Sequence, residues 1–194
     1  MAHYYGHVSV PYSTYEIFRN AVNGNWYDWD GFYGAQCWDG VQLLYGQVGQ
    51  TLYTGPNQRA SECWTVASSR ARNGSGHFSI VEGKTNIKKG DVIVFNRNTG
   101  WTHSAGHIGF ANENYNGTNT ISLLSQNYEN PSAVNGSPFS IDDVDLTPFL
   151  GIFRFDEWQG TPPTPPTPPI PTGSKRKKGF PWPVAWSHWD NFKI

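Results

Sequence analysis

YDWDGFYGAQCWDG, residues Tyr27 to Gly40, sets three carboxylates, Asp28, Asp30 and Asp39, around a single cysteine, Cys37. A thiol attacks as its thiolate, and nearby negative charge raises a thiol's pKa. Either Cys37 is inert, or something offsets the aspartates. Ala35 to Tyr45 carries apolar side chains at Cys37, Val41, Leu44 and Tyr45, a helical spacing that predicts Cys37 in the first turn. The partial positive charge of a helix start favours a thiolate. Asp28, Asp30 and Asp39 occupy positions 1, 3 and 12 of a 12-residue window, the ligand spacing of an EF-hand calcium loop. The backbone carbonyls of Phe32 and Gly34 fall at positions 5 and 7 and would complete the shell. Two positions depart from that pattern: Tyr33 stands where the loop has glycine, and Asp39 where it has glutamate. A bound Ca2+ would offset the carboxylates and pin the loop that leads into the helix.

Outward from this stretch, Ser13 to Val22 suits a short helix capped by Ser13 or Thr14, and Ala60 to Arg72 a third helix ended by Asn73-Gly74. Beyond it the pattern changes to strands: Asp91 to Phe95, Gly106 to Ala111, Thr120 to Gln126 and Phe149 to Phe155, separated by Asn/Gly clusters. Helices first and an antiparallel sheet afterwards is an α+β arrangement, with the N-terminal helices packed on the sheet. The domain is expected to span residues 1–158. A Pro/Thr-rich linker at 159–173 reads as a polyproline-II spacer, and a basic, Trp-rich tail follows at 174–194.

A cysteine nucleophile needs a base, and the base needs a group to orient it. In GHIGFA, His107 alternates with Gly109 on one face of a strand, while Ile108 and Phe110 occupy the other. A polar ring flanked by small residues suits an open cleft. His103, in the loop-like WTHSAG, is the reserve. In LLSQN, Ser125 and Asn127 share the polar face of the next strand, where such a base would find its partner. The backbone N–H of Cys37 is a plausible oxyanion donor, with Gln36 beside it. Cys63 also precedes a Trp but lacks the Gly-Ala-Gln approach, and reads as core.

DWDGFYGAQCWD, GHIGF and LLSQN, in that order, resemble a CHAP domain, a cysteine, histidine-dependent amidohydrolase/peptidase of the papain-like superfamily. The resemblance covers about residues 1–155. It implies a papain-like fold with Cys37 as nucleophile, His107 as base and Asn127 as orienter. Many relatives carry Glu where this chain has Ser125, which shifts the weight to Asn127. Relatives also bind calcium in a loop just ahead of the nucleophile. Such domains cut peptidoglycan and are common in bacteriophage lysins. The implied activity is amide hydrolysis in the wall, at the N-acetylmuramoyl-L-alanine bond or, alternatively, at a peptide bond of the stem or cross-bridge.

Charge and composition bound the rivals. Residues 174–194 carry five basic residues against Asp190, a net +4, and the remainder of the chain carries −5. That asymmetry points the tail at a polyanion. Beside a wall hydrolase the expected polyanion is a wall polymer such as teichoic acid, and no nucleic acid is expected. MAHYYGHVSVPYS lacks a basic stretch followed by an apolar run, so no export signal is expected, and no apolar run approaches a membrane span. A lysin released through a holin pore, or carried on a virion, fits. A zinc site built from Cys37, Cys63, His103 and His107 is a weaker reading, because the two histidines sit on a Gly-containing loop and strand. A non-catalytic, glycan-gripping wall or virion protein is the rival of another class.

Overall fold

The computed structural model describes residues 1–128 and 135–160. Most of the linker and the whole tail lie outside the described residues.

The chain opens with a short strand β1 (His3–Tyr5), which pairs in parallel with β2 (Trp26–Asp28). Three ring pairs brace this arm: His3 on Trp26 at 4.2 Å, Tyr4 on Tyr27 at 4.9 Å and His7 on Trp29 at 4.3 Å between centroids. The backbone N–H of Gly6 donates to the carbonyl of Asp28 at 2.9 Å, so the arm fixes the first residue of the acidic loop. Between the two strands lies helix α1 (Tyr15–Val22); Thr14 caps it, its hydroxyl accepting from the Ile17 N–H at 3.3 Å.

Helix α2 (Cys37–Gln47) begins at Cys37, as the apolar spacing predicts, with Gln36 as its cap. Leu43, Leu44 and Tyr45 are fully buried on it. The segment expected as one third helix is two, α3 (Glu62–Thr65) and α4 (Ala67–Asn73), broken at Val66, whose backbone is extended at φ −87° and ψ 113°. The break lets the Asn73 side chain reach back. Its amide donates to the carbonyls of Tyr53 and Cys63, and its carbonyl accepts from the Tyr53 N–H.

Six strands form one antiparallel sheet in the order β3 (Phe78–Val81), β8 (Phe149–Phe155), β4 (Val92–Phe95), β5 (His107–Ala111), β6 (Thr120–Gln126) and β7 (Phe139–Asp145). Period-2 alternation divides the buried side chains between two faces. Val92, Val94, Ile108, Phe110, Leu124 and Phe153 pack under the helices, while Ile93, Phe95, Leu123 and Ile152 pack on the opposite side with Ile87, Val144 and Leu146. Trp158 closes the helix side. Its indole donates to the Tyr12 carbonyl at 2.7 Å, and its rings meet Tyr15 and Phe155 edge-on. A bidentate pair from Arg154 on β8 to buried Asp91, both contacts at 2.8 Å, ties the entry of β4 to its neighbour.

The packing that matters for the site is α2 across β5 and β6. It sets the first turn of α2, and hence Cys37, against the sheet where β5 begins.

Candidate active site

Gln36 and the peptide before it decide how Cys37 is presented. The Asp39 carboxylate accepts from the backbone N–H groups of Trp29, at 3.0 Å, and Gln36, at 2.9 Å. The second bond is half of a capping box, and it holds the helix start against the acidic loop. Gln126, wholly buried on β6, clamps the same region. Its carbonyl accepts from the Tyr27 N–H at 2.9 Å, and its amide donates to the carbonyls of Tyr27, at 2.7 Å, and Gln36, at 2.9 Å. One side chain thus joins β6, β2 and the cap of α2.

Cys37 is half-buried, in the first turn of α2 where that helix packs across β5 and β6. Burial pushes the thiol up to about 11, and the Asp39 charge adds to the rise. The N–H groups of Ile108, Trp38 and Cys37 pull the other way, the last two being the open donors of the helix start.

His107 opens β5 and is 7% exposed. Its Nε2 lies 2.9 Å from Ser125 Oγ on the neighbouring strand. Trp101 and Tyr128 stand edge-on to the imidazole, at 5.3 and 6.0 Å between centroids. The Trp101 indole is itself anchored on the Asp145 carbonyl at 2.8 Å. This apolar box pushes His107 down to about 3, mainly by burial and further by the charge of His103. His103 itself is exposed.

Asn127 goes elsewhere. It is 6% exposed, and its amide donates to Gln36 Oε1 at 2.7 Å. Gln36 in turn donates from Nε2 to the Tyr33 carbonyl at 2.5 Å. So the imidazole's observed partner is Ser125, and Asn127 braces the loop ahead of Cys37. The reason is local. Asn127 follows β6 in the left-handed region, at φ 61°, and its side chain turns toward the cap of α2.

Asp28, Asp30 and Asp39 converge, each offering a carboxylate oxygen within 4.8 Å of the others. Asp28 and Asp39 are buried and Asp30 is exposed. Burial, and then the charges of Asp30 and Asp28, push Asp39 up to about 7 against the N–H groups that hold it. A carboxyl so raised is a site short of positive charge. Hard oxygen donors of this kind suit a hard divalent cation. Tyr33 takes the left-handed turn that an EF-hand loop gives to glycine, at φ 64°. Cys63 is fully buried core, and among the described residues no Cys/His group gathers at metal distance.

Cys37, Asp30 and Asp39 line one open cleft of about 960 Å³. Gln126, Trp101 and Tyr128 belong to the site's frame but carry no role in the sequence reading. Gln126 had a usable signal: an amide on the inward, apolar face of a strand must find partners.

The comparisons with known proteins bear on the fold and the family. A crystal structure of the wild-type endolysin LysIME-EF1 superposes with a TM-score of 0.58 at 25% identity, covering 75% of this chain and 64% of that one. A protein of Streptococcus phage B30 named D-alanyl-L-alanine endopeptidase is 35% identical over 91 residues, 43% of this chain and 18% of that protein. The match therefore spans under a fifth of that relative's length. The fold is papain-like α+β, with helices on a six-stranded antiparallel sheet. The family model described as the CHAP domain matches residues 26–127, which take in the acidic loop, Cys37, His107 and Asn127, and the chain belongs to the CHAP domain family.

Proposed function

We propose that this chain is a cysteine-dependent peptidoglycan hydrolase of the endolysin kind, acting at the bacterial cell wall as an endopeptidase on the peptide stem or cross-bridge. One observation carries the chemistry: α2, which begins at Cys37, packs across β5, which begins at His107. The similarity to a phage protein named as an endopeptidase favours a peptide bond. The muramoyl–alanine amide is open to the same chemistry and is the second reading.

Cys37 is the nucleophile and His107 the base. In the tautomer with its proton on Nε2, His107 donates to Ser125 Oγ and keeps the Nδ1 lone pair to take the thiol proton; Ser125 is then the positioning residue. With the thiol raised and the imidazole lowered, the resting pair is neutral. The proton moves as the sulfur attacks the carbonyl carbon. The tetrahedral oxyanion is met by the Cys37 backbone N–H. Gln36 is already engaged on both sides of its amide and serves as a brace. The C–N bond then breaks, the amine leaves with the proton from the imidazolium, and water, deprotonated by His107, hydrolyses the thioester. Asp28, Asp30 and Asp39, with the carbonyls of Phe32 and Gly34, would hold Ca2+, whose charge offsets the carboxylates around Cys37. The basic segment 174–194 is retained as a contact for anionic wall polymers, on its sequence charge.

Mass spectrometry of fragments from a digested wall tests the reading. New peptide termini within stem or bridge are expected. Free lactyl carboxyls on the sugar with intact stems would replace it with the amidase reading, and new reducing sugar ends would reject amide hydrolysis.

Gly109 supplies a further test. A methyl there would lie 2.7 Å from Ser125 Cβ and 3.0 Å from the Leu124 carbonyl. Gly109→Ala is expected to destabilise the domain by roughly 1–3 kcal/mol through overpacking. It should also lower kcat by displacing Ser125 from the imidazole, with KM little changed. Thermal melts and wall-fragment kinetics measure the two effects.

A further inference from the structure

Among the described residues, the imidazole of His107 has one hydrogen-bond partner, Ser125 Oγ, 2.9 Å from Nε2. A hydroxyl turns about its C–O bond and both donates and accepts. It therefore fixes where Nε2 sits and leaves the ring free to swing about that contact. Proton transfer from a thiol needs more. The lone pair on the other ring nitrogen must point at the thiol proton, and an error of about 1 Å in such an alignment costs on the order of 100-fold. Another part of the structure has to set the plane of the imidazole.

Two aromatic rings stand where they do this. Trp101 and His107 lie 5.3 Å apart with 68° between their planes, and Tyr128 and His107 lie 6.0 Å apart, again at 68°. Trp101 and Tyr128 meet each other at 5.2 Å and 71°. The three rings are mutually edge-on, an arrangement that aromatic quadrupoles favour. Trp101 is tied down although it is only half-buried. Its indole meets Phe95 edge-on at 5.1 Å, and Phe95 is fully buried directly across the β4–β5 ladder from His107. Its Nε1–H donates to the carbonyl of Asp145, the last residue of β7, at 2.8 Å. The loop that carries it is closed on itself. The Thr102 hydroxyl donates to the Asn96 carbonyl at 2.6 Å, and the Asn98 N–H, with Asn98 in the left-handed region at φ 50°, donates to the His103 carbonyl at 3.0 Å. Trp101 is thus held from β4 and from β7, and β5, which begins at His107, lies between those strands in the sheet.

We infer that Trp101 and Tyr128 are positioning residues, an aromatic clamp that fixes the plane of the His107 imidazole while Ser125 fixes its Nε2. The inference rests on the hydrolase reading, in which His107 is the base. The clamp acts through the imidazole alone, so its loss should appear in the chemical step and not in substrate binding.

Kinetics on soluble wall fragments test it, with circular dichroism to confirm folding. Trp101→Leu, which keeps apolar bulk and deletes the ring, is expected to lower kcat by about 10- to 100-fold, with KM within about twofold of the parent. Trp101→Phe keeps a ring edge against the imidazole and should hold kcat within about threefold. Tyr128→Leu should lower kcat by about fivefold. If Trp101→Leu does not fold, Tyr128→Leu decides, and parent kcat there overturns the clamp. In the His107→Gln background, Trp101→Leu should change kcat by less than about twofold, because the clamp has no imidazole left to hold. Carbon-13 relaxation at His107 Cε1 should report a rigid ring in the parent and in Trp101→Phe, and a mobile ring in Trp101→Leu. Parent kcat in folded Trp101→Leu, a loss of equal size in both backgrounds, or a loss with the imidazole still rigid would overturn the clamp. Parent kcat in His107→Gln alone would instead reject the base assigned in the hydrolase reading.

Discussion

Cys37→Ala should lower wall hydrolysis by at least ~10⁴-fold, His107→Ala by ~10³- to 10⁴-fold, and the double variant no further than Cys37→Ala. The non-additivity follows from the shared step. Sulfur attack and proton transfer to the imidazole are one event, so losing either group removes what the other contributes. Neither variant should lose the fold. Cys37 sits at the edge of the core in the first turn of α2, and His107 is boxed by Trp101 and Tyr128, which remain. His107→Gln keeps an amide opposite Ser125 and separates a packing effect from loss of the base. Circular dichroism and melting temperature confirm folding, and release of soluble wall fragments gives the rate. Full activity in Cys37→Ala would end the account of the nucleophile.

Removing divalent cations is expected to lower activity more than tenfold and to destabilise the domain, with Ca2+ restoring both. At free Ca2+ 100-fold above its Kd, the bound ion adds about 2.7 kcal/mol. For a domain of this size that is a melting shift of roughly 5–10 °C. The pH dependence has a definite sign. The Asp39 carboxyl is raised to about 7, so the metal-free folded protein holds a proton there that the unfolded chain gives up near the ordinary carboxylate value of 3.8. Metal-free stability from this group therefore falls as pH rises between those values. His107 acts oppositely: held at about 3 against an ordinary 6.5, it takes stability away as pH falls through that interval. Ca2+ must displace the Asp39 proton, so the Ca2+ needed for half-maximal activity should rise by about tenfold for each pH unit below 7. Acid loss of activity should thus begin near neutrality and be reversed by added Ca2+, because His107 stays unprotonated until far lower pH. Asp30→Ala, which removes the exposed ligand while leaving the Asp39 cap, should abolish the Ca2+ response. Indifference of the wild type to chelator and of the loop to Asp30→Ala would remove the metal.

Much of the frame was legible because its signals are local. The spacing of Val41, Leu44 and Tyr45 placed α2 with Cys37 in its first turn, and β6 and β8 have the bounds read from their apolar runs. The acidic loop was legible from the 1-3-12 spacing, since metal ligands on a loop are counted along the chain. The sequence hid what depends on partners. β1 and β2 are three residues each and exist through their mutual pairing and ring stacking. β7, FSIDDVD, is an edge strand whose aspartates interrupt the apolar alternation, as edge strands protected from aggregation do. The third helix read as continuous because Val66 is only a mild helix breaker, and its extended backbone answers to Asn73 and the 53–55 segment. At the site, strand alternation puts Ser125 and Asn127 on one polar face, whereas Ser125 meets the imidazole and Asn127 turns to Gln36. Their division of labour turns on the left-handed backbone of Asn127, which strand periodicity does not encode.

The account rests on a covalent step at one sulfur. Acid quenching of the protein during wall digestion, followed by intact-mass measurement and peptide mapping, observes it directly. The account expects a transient adduct on the peptide containing Cys37, equal in mass to the acyl half of the substrate, absent in Cys37→Ala and decaying as product accumulates. Product formed with Cys37 never modified, or an adduct carried by another residue, would contradict it.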